Sequence, residues 1–185
     1  MTDNATAARR QFLRRSAQIA AVGALPVLAL PAGAAVGPAR SLALAHTHRQ
    51  ERVDLVYALQ HGYLPDALGR LNHFLRDHYS GEVGVIDPRL FDLLHQVKQM
   101  LGGGGDFEVI SGYRCPATNQ RLRQNRGGGV AARSLHMDGR AIDVRLAGVP
   151  LAALRDAALS LRAGGVGYSP GERFVHLDTG RVRAW

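Results

Sequence analysis

Sulfhydryl chemistry is nearly absent from the sequence, which has one cysteine, Cys115, among its 185 residues. A single thiol forms no intramolecular disulfide and cannot supply the several thiolates of a cysteine-based zinc cluster. Its neighbours Arg114 and Pro116 offer no base that would activate it as a nucleophile. We therefore interpret Cys115 as a small buried hydrophobic residue.

Aromatic residues are also scarce, at 6% of the chain. No basic run is interleaved with aromatic side chains, so the stacking surface that single-stranded nucleic acids require is missing. Arginine far outnumbers lysine, and the formal net charge is +8. We attribute this charge to codon bias and a basic N-terminal segment; attraction to nucleic acid or to an anionic cell wall is the alternative.

The N-terminal segment has the order of features found in an export signal. The twin arginines of ARRQFLRR (8–15) precede a hydrophobic pair, and a weakly apolar run (19–35) follows. This order resembles a twin-arginine (Tat) signal. Prolines interrupt the apolar run, which makes it a poor permanent membrane span. We assign 1–35 to a Tat signal and 36–185 to one domain that is exported to the periplasm or cell envelope.

Two signal cleavage sites are available, after Ala34 and after Ala45. Apolar residues alternate in Ser41–His46 and again in Arg52–Leu59, and the polar stretch between them predicts a hairpin turn. Cleavage after Ala45 would remove the first strand of this hairpin. We therefore expect cleavage after Ala34.

The rest of the chain alternates between helical and strand patterns. Apolar spacing predicts helices at 65–79, 88–101, 116–124 and 150–161, and short strands at 107–110, 140–146, 164–169, 173–178 and 181–184. Asp87 is expected to cap the second helix, and Gly127–Gly129 to form a mobile loop. His73 and His78, on the first helix, are interpreted as solvent-facing or structural. Without regular βαβ spacing, the pattern predicts an α+β fold with a mainly antiparallel sheet flanked by helices.

The residues best suited to catalysis or metal binding lie in SLHMDGRAIDV (134–144) and FVHLD (174–178). A hydrolytic zinc site takes three ligands from His, Asp or Glu and keeps one position open for water. His136, Asp143 and His176 supply such a set from a loop, the following strand and a neighbouring strand.

From spacing alone, a purely structural role is as well supported as metal binding for these residues. In that alternative, Asp143 caps a turn or pairs with Arg140, and His176 is a structural histidine of its strand.

Three ordered motifs resemble those of a bacterial zinc peptidase family: SGYRCPATN (111–119), SLHMDGRAIDV (134–144) and FVHLDTGRVRAW (174–185). The chain is similar to murein endopeptidase K-like proteins, relatives of the D-alanyl-D-alanine peptidases, from about Ser41 to its end. This resemblance implies a Hedgehog/DD-peptidase fold and one zinc ion. It also implies hydrolysis of peptide bonds in peptidoglycan stems or cross-links, by an endopeptidase or a carboxypeptidase.

The resemblance also assigns residues. The metal ligands of the family correspond to His136, Asp143 and His176, and the arginine of SGYR to Arg114. We expect Arg114 to stabilise an oxyanion or to bind a substrate carboxylate, with a structural salt bridge as the alternative. Cys115 replaces the usual serine of the motif and leaves the ligands intact.

The proton-transferring carboxylate departs from the family pattern. Many relatives place it three residues before the last histidine, where this chain has Arg173. Asp178 follows His176 by two residues and so shares its face of the strand, and Glu172 is the other candidate. We prefer Asp178.

The leading hypothesis is a zinc metallopeptidase that acts on peptidoglycan peptides, does not bind nucleic acid and is a monomer. Contact with a membrane is expected only through an uncleaved signal. The alternative is a non-catalytic module that retains the fold and binds cell-wall peptides. Two available acids and a complete ligand set argue against this module, and an export signal argues against nucleic-acid binding.

Overall fold

The computed structural model describes residues 39–60, 62–125 and 130–185. The predicted export signal, its cleavage site at Ala34 and the Gly127–Gly129 loop lie outside these residues. None of the helices in the described residues combines the length and apolar character needed to cross a membrane.

The described residues contain eight strands and four helices, which are interspersed along the chain. The eight strands are β1 (Arg40–His46), β2 (Arg52–Leu59), β3 (Gly62–Tyr63), β4 (Phe107–Ser111), β5 (Ala141–Leu146), β6 (Gly165–Ser169), β7 (Phe174–Asp178) and β8 (Arg183–Ala184). The helices in the described residues are α1 (Pro65–Phe74), α2 (Pro88–Met100), α3 (Pro116–Asn125) and α4 (Leu151–Leu161).

All eight strands form one sheet in the order β3-β2-β1-β4-β5-β7-β6-β8. The β1–β4 and β6–β8 pairs are parallel, and the other five pairs are antiparallel. The predicted α+β class with a mostly antiparallel sheet is therefore confirmed, and so is the predicted β1–β2 hairpin.

The sheet has one face against the core and one that carries polar groups. On β5, Ile142 and Val144 are fully buried and belong to the hydrophobic core. Because side chains alternate along a strand, Asp143 between them points to the other face. The core face packs against α2 and α4, which also contact each other. The polar face is where the candidate site lies.

The first helix is shorter than predicted, because it ends at Phe74 rather than at Tyr79. Beyond it, the buried carboxylate of Asp77 accepts hydrogen bonds from the backbone N–H of Tyr79 (2.8 Å) and of Cys115 (2.9 Å). Burial opposes ionisation of this carboxyl, but a hydrogen bond with the side chain of Thr118, followed by these backbone bonds, holds its pKa at about 2. Asp77, just past the end of α1, therefore holds the loop that follows β4.

The ends of the other predicted helices and strands lie within two residues of the observed ones, and those of β2 coincide. Asp87 caps α2 as predicted, accepting a bond from the N–H of Arg89 at 3.0 Å. The short strand β3 has no counterpart in the prediction.

Candidate metal centre

Strand pairing brings the two predicted strand ligands side by side. Asp143 on β5 lies opposite His176 on β7, Ser111 on β4 lies opposite Asp143, and Gly167 on β6 lies opposite His176. Directly opposed residues share a face of the sheet, so these four positions form one row across four strands. His136 reaches the row from the turn that precedes β5.

The three predicted ligands converge in the structure. The carboxylate of Asp143 lies 3.3 Å from Nε2 of His136 and 2.8 Å from Nδ1 of His176. One potential ligand atom from each of the three residues lies within 4.8 Å of the others. His136 and Asp143 are buried, and the side chain of His176 is 14% exposed. The alternative pairing of Asp143 with Arg140 is absent, since Arg140 contacts Thr179 and Asp87 instead.

Hydrogen bonds orient both imidazoles, and each has one nitrogen directed at Asp143. Nδ1 of His136 donates to the carbonyl of Gly112 at 2.7 Å, and Nε2 of His176 donates to Asp178 at 3.2 Å. For His136 the carbonyl acceptor fixes which nitrogen carries the proton, whereas both nitrogens of His176 face carboxylates, Asp143 at 2.8 Å and Asp178 at 3.2 Å. A histidine that binds a metal through one nitrogen almost always donates its other N–H to a carboxylate or a carbonyl. The donor set, two imidazoles and one carboxylate, therefore fits a catalytic zinc ion.

The charges within the cluster support each other. Burial alone would raise the pKa of Asp143, but the charges and hydrogen bonds of the two histidines keep it well below its usual range. Burial would lower the pKa of His176, yet its hydrogen bonds to Asp143 and Asp178 raise it to about 9. A metal ion would therefore have to displace a proton from His176 to bind.

Gly139 makes the tight turn between His136 and β5. Its φ is +64°, its N–H donates to the carbonyl of His136 (3.3 Å), and its carbonyl accepts from the N–H of Asp87 (2.9 Å). A Cβ at this position would overlap the backbone oxygen of Val85. Only glycine combines this conformation with this close approach.

Arg114 is fastened beside the cluster. Its backbone N–H donates to the carbonyl of His136 at 3.2 Å, and its guanidinium lies 3.9 Å from the carboxylate of Asp143. The guanidinium also donates to Ser111 (3.3 Å) and Asn119 (3.4 Å). The adjacent Cys115 is buried, as predicted.

The two candidate acids have different surroundings. Asp178 is fully buried and accepts from the N–H groups of Gly165 (3.0 Å) and Gly180 (2.7 Å), from both terminal nitrogens of Arg183 (3.1 and 2.7 Å), and from His176. Although burial opposes it, this set of donors keeps the pKa of Asp178 far below its usual range. Glu172 is exposed and lines a cleft of about 240 Å³ together with Asp143 and Arg114.

Two residues that the sequence did not single out reach the centre from β8 and its end. Arg183 holds Asp178, and the indole of Trp185 packs on His176 with ring centroids 5.3 Å apart. Strand β6, which lies between β7 and β8, carries Gly165 and Gly167, and the absence of side chains there leaves room for both contacts. The signal for this arrangement is the pair GVG and RAW, but their register cannot be read from the chain.

The histidines assigned to the first helix have separate outcomes. His73 is exposed on α1, as expected. His78 lies past the end of α1, stacks on His48 and lines the same cleft as Asp143.

Comparison with known proteins gives matches over the whole domain. A family profile described as "Peptidoglycan L,D-endopeptidase MepK" matches residues 34–185. The protein of that name from Escherichia coli K12 is 40% identical over 183 residues, which cover 99% of this chain and 100% of the relative. The "Probable peptidoglycan L,D-endopeptidase MepK" of Haemophilus influenzae is 43% identical over 148 residues, 79% of this chain and 78% of the relative. No solved structure matches the chain.

Proposed function

Because the chain belongs to the peptidoglycan L,D-endopeptidase MepK family, we propose that it cleaves peptidoglycan peptides with one zinc ion held by His136, Asp143 and His176. The observation that carries the zinc assignment is the convergence of both imidazoles on Asp143, with His136 held through Nδ1 by the carbonyl of Gly112 and His176 held through Nε2 by Asp178. The relatives are named L,D-endopeptidases, which denotes cleavage inside a peptide at a bond between an L-centre and a D-centre. By this similarity, we favour an endopeptidase over a carboxypeptidase.

A bound zinc ion would polarise the scissile carbonyl and lower the pKa of a water molecule to about 7. The residues of the chain supply the rest of the chemistry. Arg114 is placed to stabilise negative charge that develops on the carbonyl oxygen, because its guanidinium lies beside Asp143 at the edge of the cleft. Its contacts with Ser111 and Asn119 fix it in position, so little reorganisation is needed during the reaction.

The proton acceptor is one of the two acids, and their surroundings favour Glu172. Asp178 is fully buried. Its carboxylate already accepts hydrogen bonds from two backbone N–H groups and from the side chains of Arg183 and His176. A carboxylate held in this way is a weak base and has no access to solvent water. We propose that Asp178 orients His176 as a metal ligand. Glu172, exposed in the cleft, then takes the proton and returns it to the leaving amine.

The finer parts of the fold and location follow from the same hypothesis. We propose a Hedgehog/DD-peptidase arrangement for residues 36–185 and an export signal in residues 1–35 that delivers the domain to the periplasm or cell envelope. The family resemblance, the sheet topology and the ligand set support this arrangement.

The test is digestion of purified peptidoglycan by the purified chain, with mass spectrometry of the released fragments. We expect fragments whose new ends arise from hydrolysis of an L-to-D peptide bond. A chelator should abolish their release, and added zinc should restore it. The matched variant Asp143→Asn should release none, although it folds. Absence of product from the zinc-loaded chain, together with retention of cell-wall peptides, would favour the non-catalytic binding module instead.

A further inference from the structure

Four planar side chains form a continuous stack beside the cleft, and we call this set the stacked wall: His48, His78, Tyr79 and Arg121. The rings of His48 and His78 are 4.6 Å apart and nearly parallel, at 8°. Tyr79 packs on His78 at 4.1 Å, and the guanidinium of Arg121 lies 4.7 Å from the centre of the Tyr79 ring. Neither the metal centre nor its supporting bonds involve any of these side chains.

The stacked wall faces the metal centre. His48, His78 and Tyr79 line the same cleft of about 240 Å³ as Asp143 and Arg114. His48 comes from the β1–β2 turn and the other two rings from the turn after α1, on the β1 side of β5 in the sheet. Glu172 comes from the β6–β7 turn, on the other side of β5. A peptide bound across the metal centre would therefore extend from Glu172 towards the stacked wall.

Bonds behind the stacked wall hold it in place. His46 is 2% exposed, packs edge-on against the rings of His48 (6.0 Å) and His78 (5.7 Å), and accepts from the N–H of His48 through Nδ1 at 3.3 Å. The buried carboxylate of Asp77 fixes the backbone of Tyr79. The same carboxylate holds the N–H of Cys115, next to Arg114. The wall and the arginine beside the metal are thus positioned by one group.

The acids Asp143 and Glu172 also line the cleft, whereas its side at the stacked wall carries imidazole rings and a guanidinium group. Burial, followed by the nearby His48, Arg114 and Arg49, lowers the pKa of His78 to about 4 against the opposing effect of Asp77. His78 is therefore neutral near pH 7 and offers one N–H. Arg121 adds positive charge at the end of the stack, Arg114 lies 3.9 Å from the carboxylate of Asp143, and the charge of Asp77 is taken up by backbone N–H groups. Planar donors next to guanidinium groups are suited to a carboxylate.

We propose that the stacked wall binds a free carboxylate of the substrate peptide adjacent to the scissile bond, with His48, His78 and Arg121 as the donors. This subsite rests on the proposed peptidase function and explains how the enzyme distinguishes one cell-wall peptide from another. A carboxylate held here fixes the position of the peptide along the cleft, because the stack cannot shift without breaking its contacts.

The experiment uses two synthetic peptides with the same L-to-D bond, one with a free carboxylate next to that bond and one with this carboxylate amidated. Steady-state constants are measured for the zinc-loaded chain, for the His48→Phe/His78→Phe double variant and for Arg121→Gln. Phenylalanine preserves the stacking and removes the N–H donors. His73→Phe, on the exposed face of α1, is the matched control.

For the parent chain and for His73→Phe we expect KM to be roughly ten- to hundredfold higher for the amidated peptide, as loss of a hydrogen bond to a charged group predicts. The double variant and Arg121→Gln should reduce this preference severalfold, mainly through KM for the free-carboxylate peptide, with kcat nearly unchanged.

Equal KM values for the two peptides in the parent chain would overturn the subsite, as would a preference that the variants leave intact. Failure to cleave either peptide, with zinc bound, would instead count against the peptidase function itself.

Discussion

The indole of Trp185 packs on the imidazole of His176, with 5.3 Å between ring centroids, across the bare backbone of Gly167. A Cβ at Gly167 would lie 2.7 Å from the indole, so any larger residue displaces the ring. Arg183 crosses the neighbouring Gly165 in the same way to hold Asp178, and its guanidinium also lies 4.7 Å from the centre of the Trp185 ring. The last strand and the residue after it thus support His176, a proposed metal ligand, from two directions.

Truncation of this support should weaken metal binding. We expect Trp185→Ala to lower zinc affinity about tenfold, the lower end of the effect of losing a group that orients a metal ligand. Competition with a chromophoric chelator measures this affinity, and Trp185→Phe, which keeps an aromatic ring on His176, should stay close to the parent. Since Trp185 is the only tryptophan in the sequence, its fluorescence should also change on zinc addition. Equal affinity in both variants would contradict a positioning role.

The two acids should separate by metal content. We expect Asp178→Asn to lose roughly ten- to hundredfold in zinc affinity, because His176 loses the carboxylate that fixes its tautomer. Glu172→Gln should retain zinc and lose about a hundredfold or more in kcat, as for removal of a general base. Zinc titration and steady-state kinetics on the same preparations make the distinction.

The control for this pair is Asp138→Asn, since Asp138 is an exposed acid between the proposed ligands His136 and Asp143. It should change neither quantity. If Asp178→Asn kept its zinc and lost turnover while Glu172→Gln remained active, the roles of the two acids would be reversed.

His46 should make the fold sensitive to mild acid. Burial, followed by the neighbouring His78 and His48, lowers its pKa from 6.5 to about 4, so the folded protein holds it neutral. An unfolded chain protonates the same group near its ordinary pKa. The resulting stability is complete above pH 6.5 and is lost as the pH falls from 6.5 towards 4.

We expect His46→Phe to remove that part of the pH dependence, up to about 3 kcal/mol between pH 7 and pH 4. Urea unfolding of both chains across this range measures it. A His73→Phe control should keep the slope of the parent, and equal slopes for His46→Phe and the parent would contradict a buried neutral His46.

Gly139 should tolerate no side chain. A left-handed residue other than glycine costs about 1–2 kcal/mol from backbone strain alone. Gly148 has φ +78° and open space around it, so Gly148→Ala should show only this cost. At Gly139 the added Cβ also overlaps the backbone of Val85, so Gly139→Ala should lose about 2 kcal/mol more. Equal unfolding free energies for the two variants would show that the turn can relax.

Much of the site could be predicted from the sequence, because its chemistry depends on residue type. His136, Asp143 and His176 stand out because they lie in motifs that resemble those of a zinc peptidase family, and alternation places two of them on strands. The hairpin and the cap at Asp87 also follow from local patterns. These features depend on neighbours close in the chain.

The remaining features depend on contacts between distant segments. The end of α1 at Phe74 is set by Asp77, whose partner Cys115 lies 38 residues away. The contact of Trp185 with His176 requires the parallel pairing of β8 with β6, which no local pattern indicates. The surroundings of Asp178 follow from the same pairing. Because the sequence does not reveal this pairing, it could not show that Asp178 is buried and hydrogen-bonded, and it favoured Asp178 as the proton acceptor.

The most direct test of the metal centre is native mass spectrometry of the purified chain after zinc loading and removal of excess metal. The account predicts one zinc ion per chain, lost from each of His136→Ala, Asp143→Ala and His176→Ala while circular dichroism shows that they remain folded, and retained by His73→Ala. A parent chain without zinc, or ligand variants that bind zinc as tightly as the parent, would contradict it.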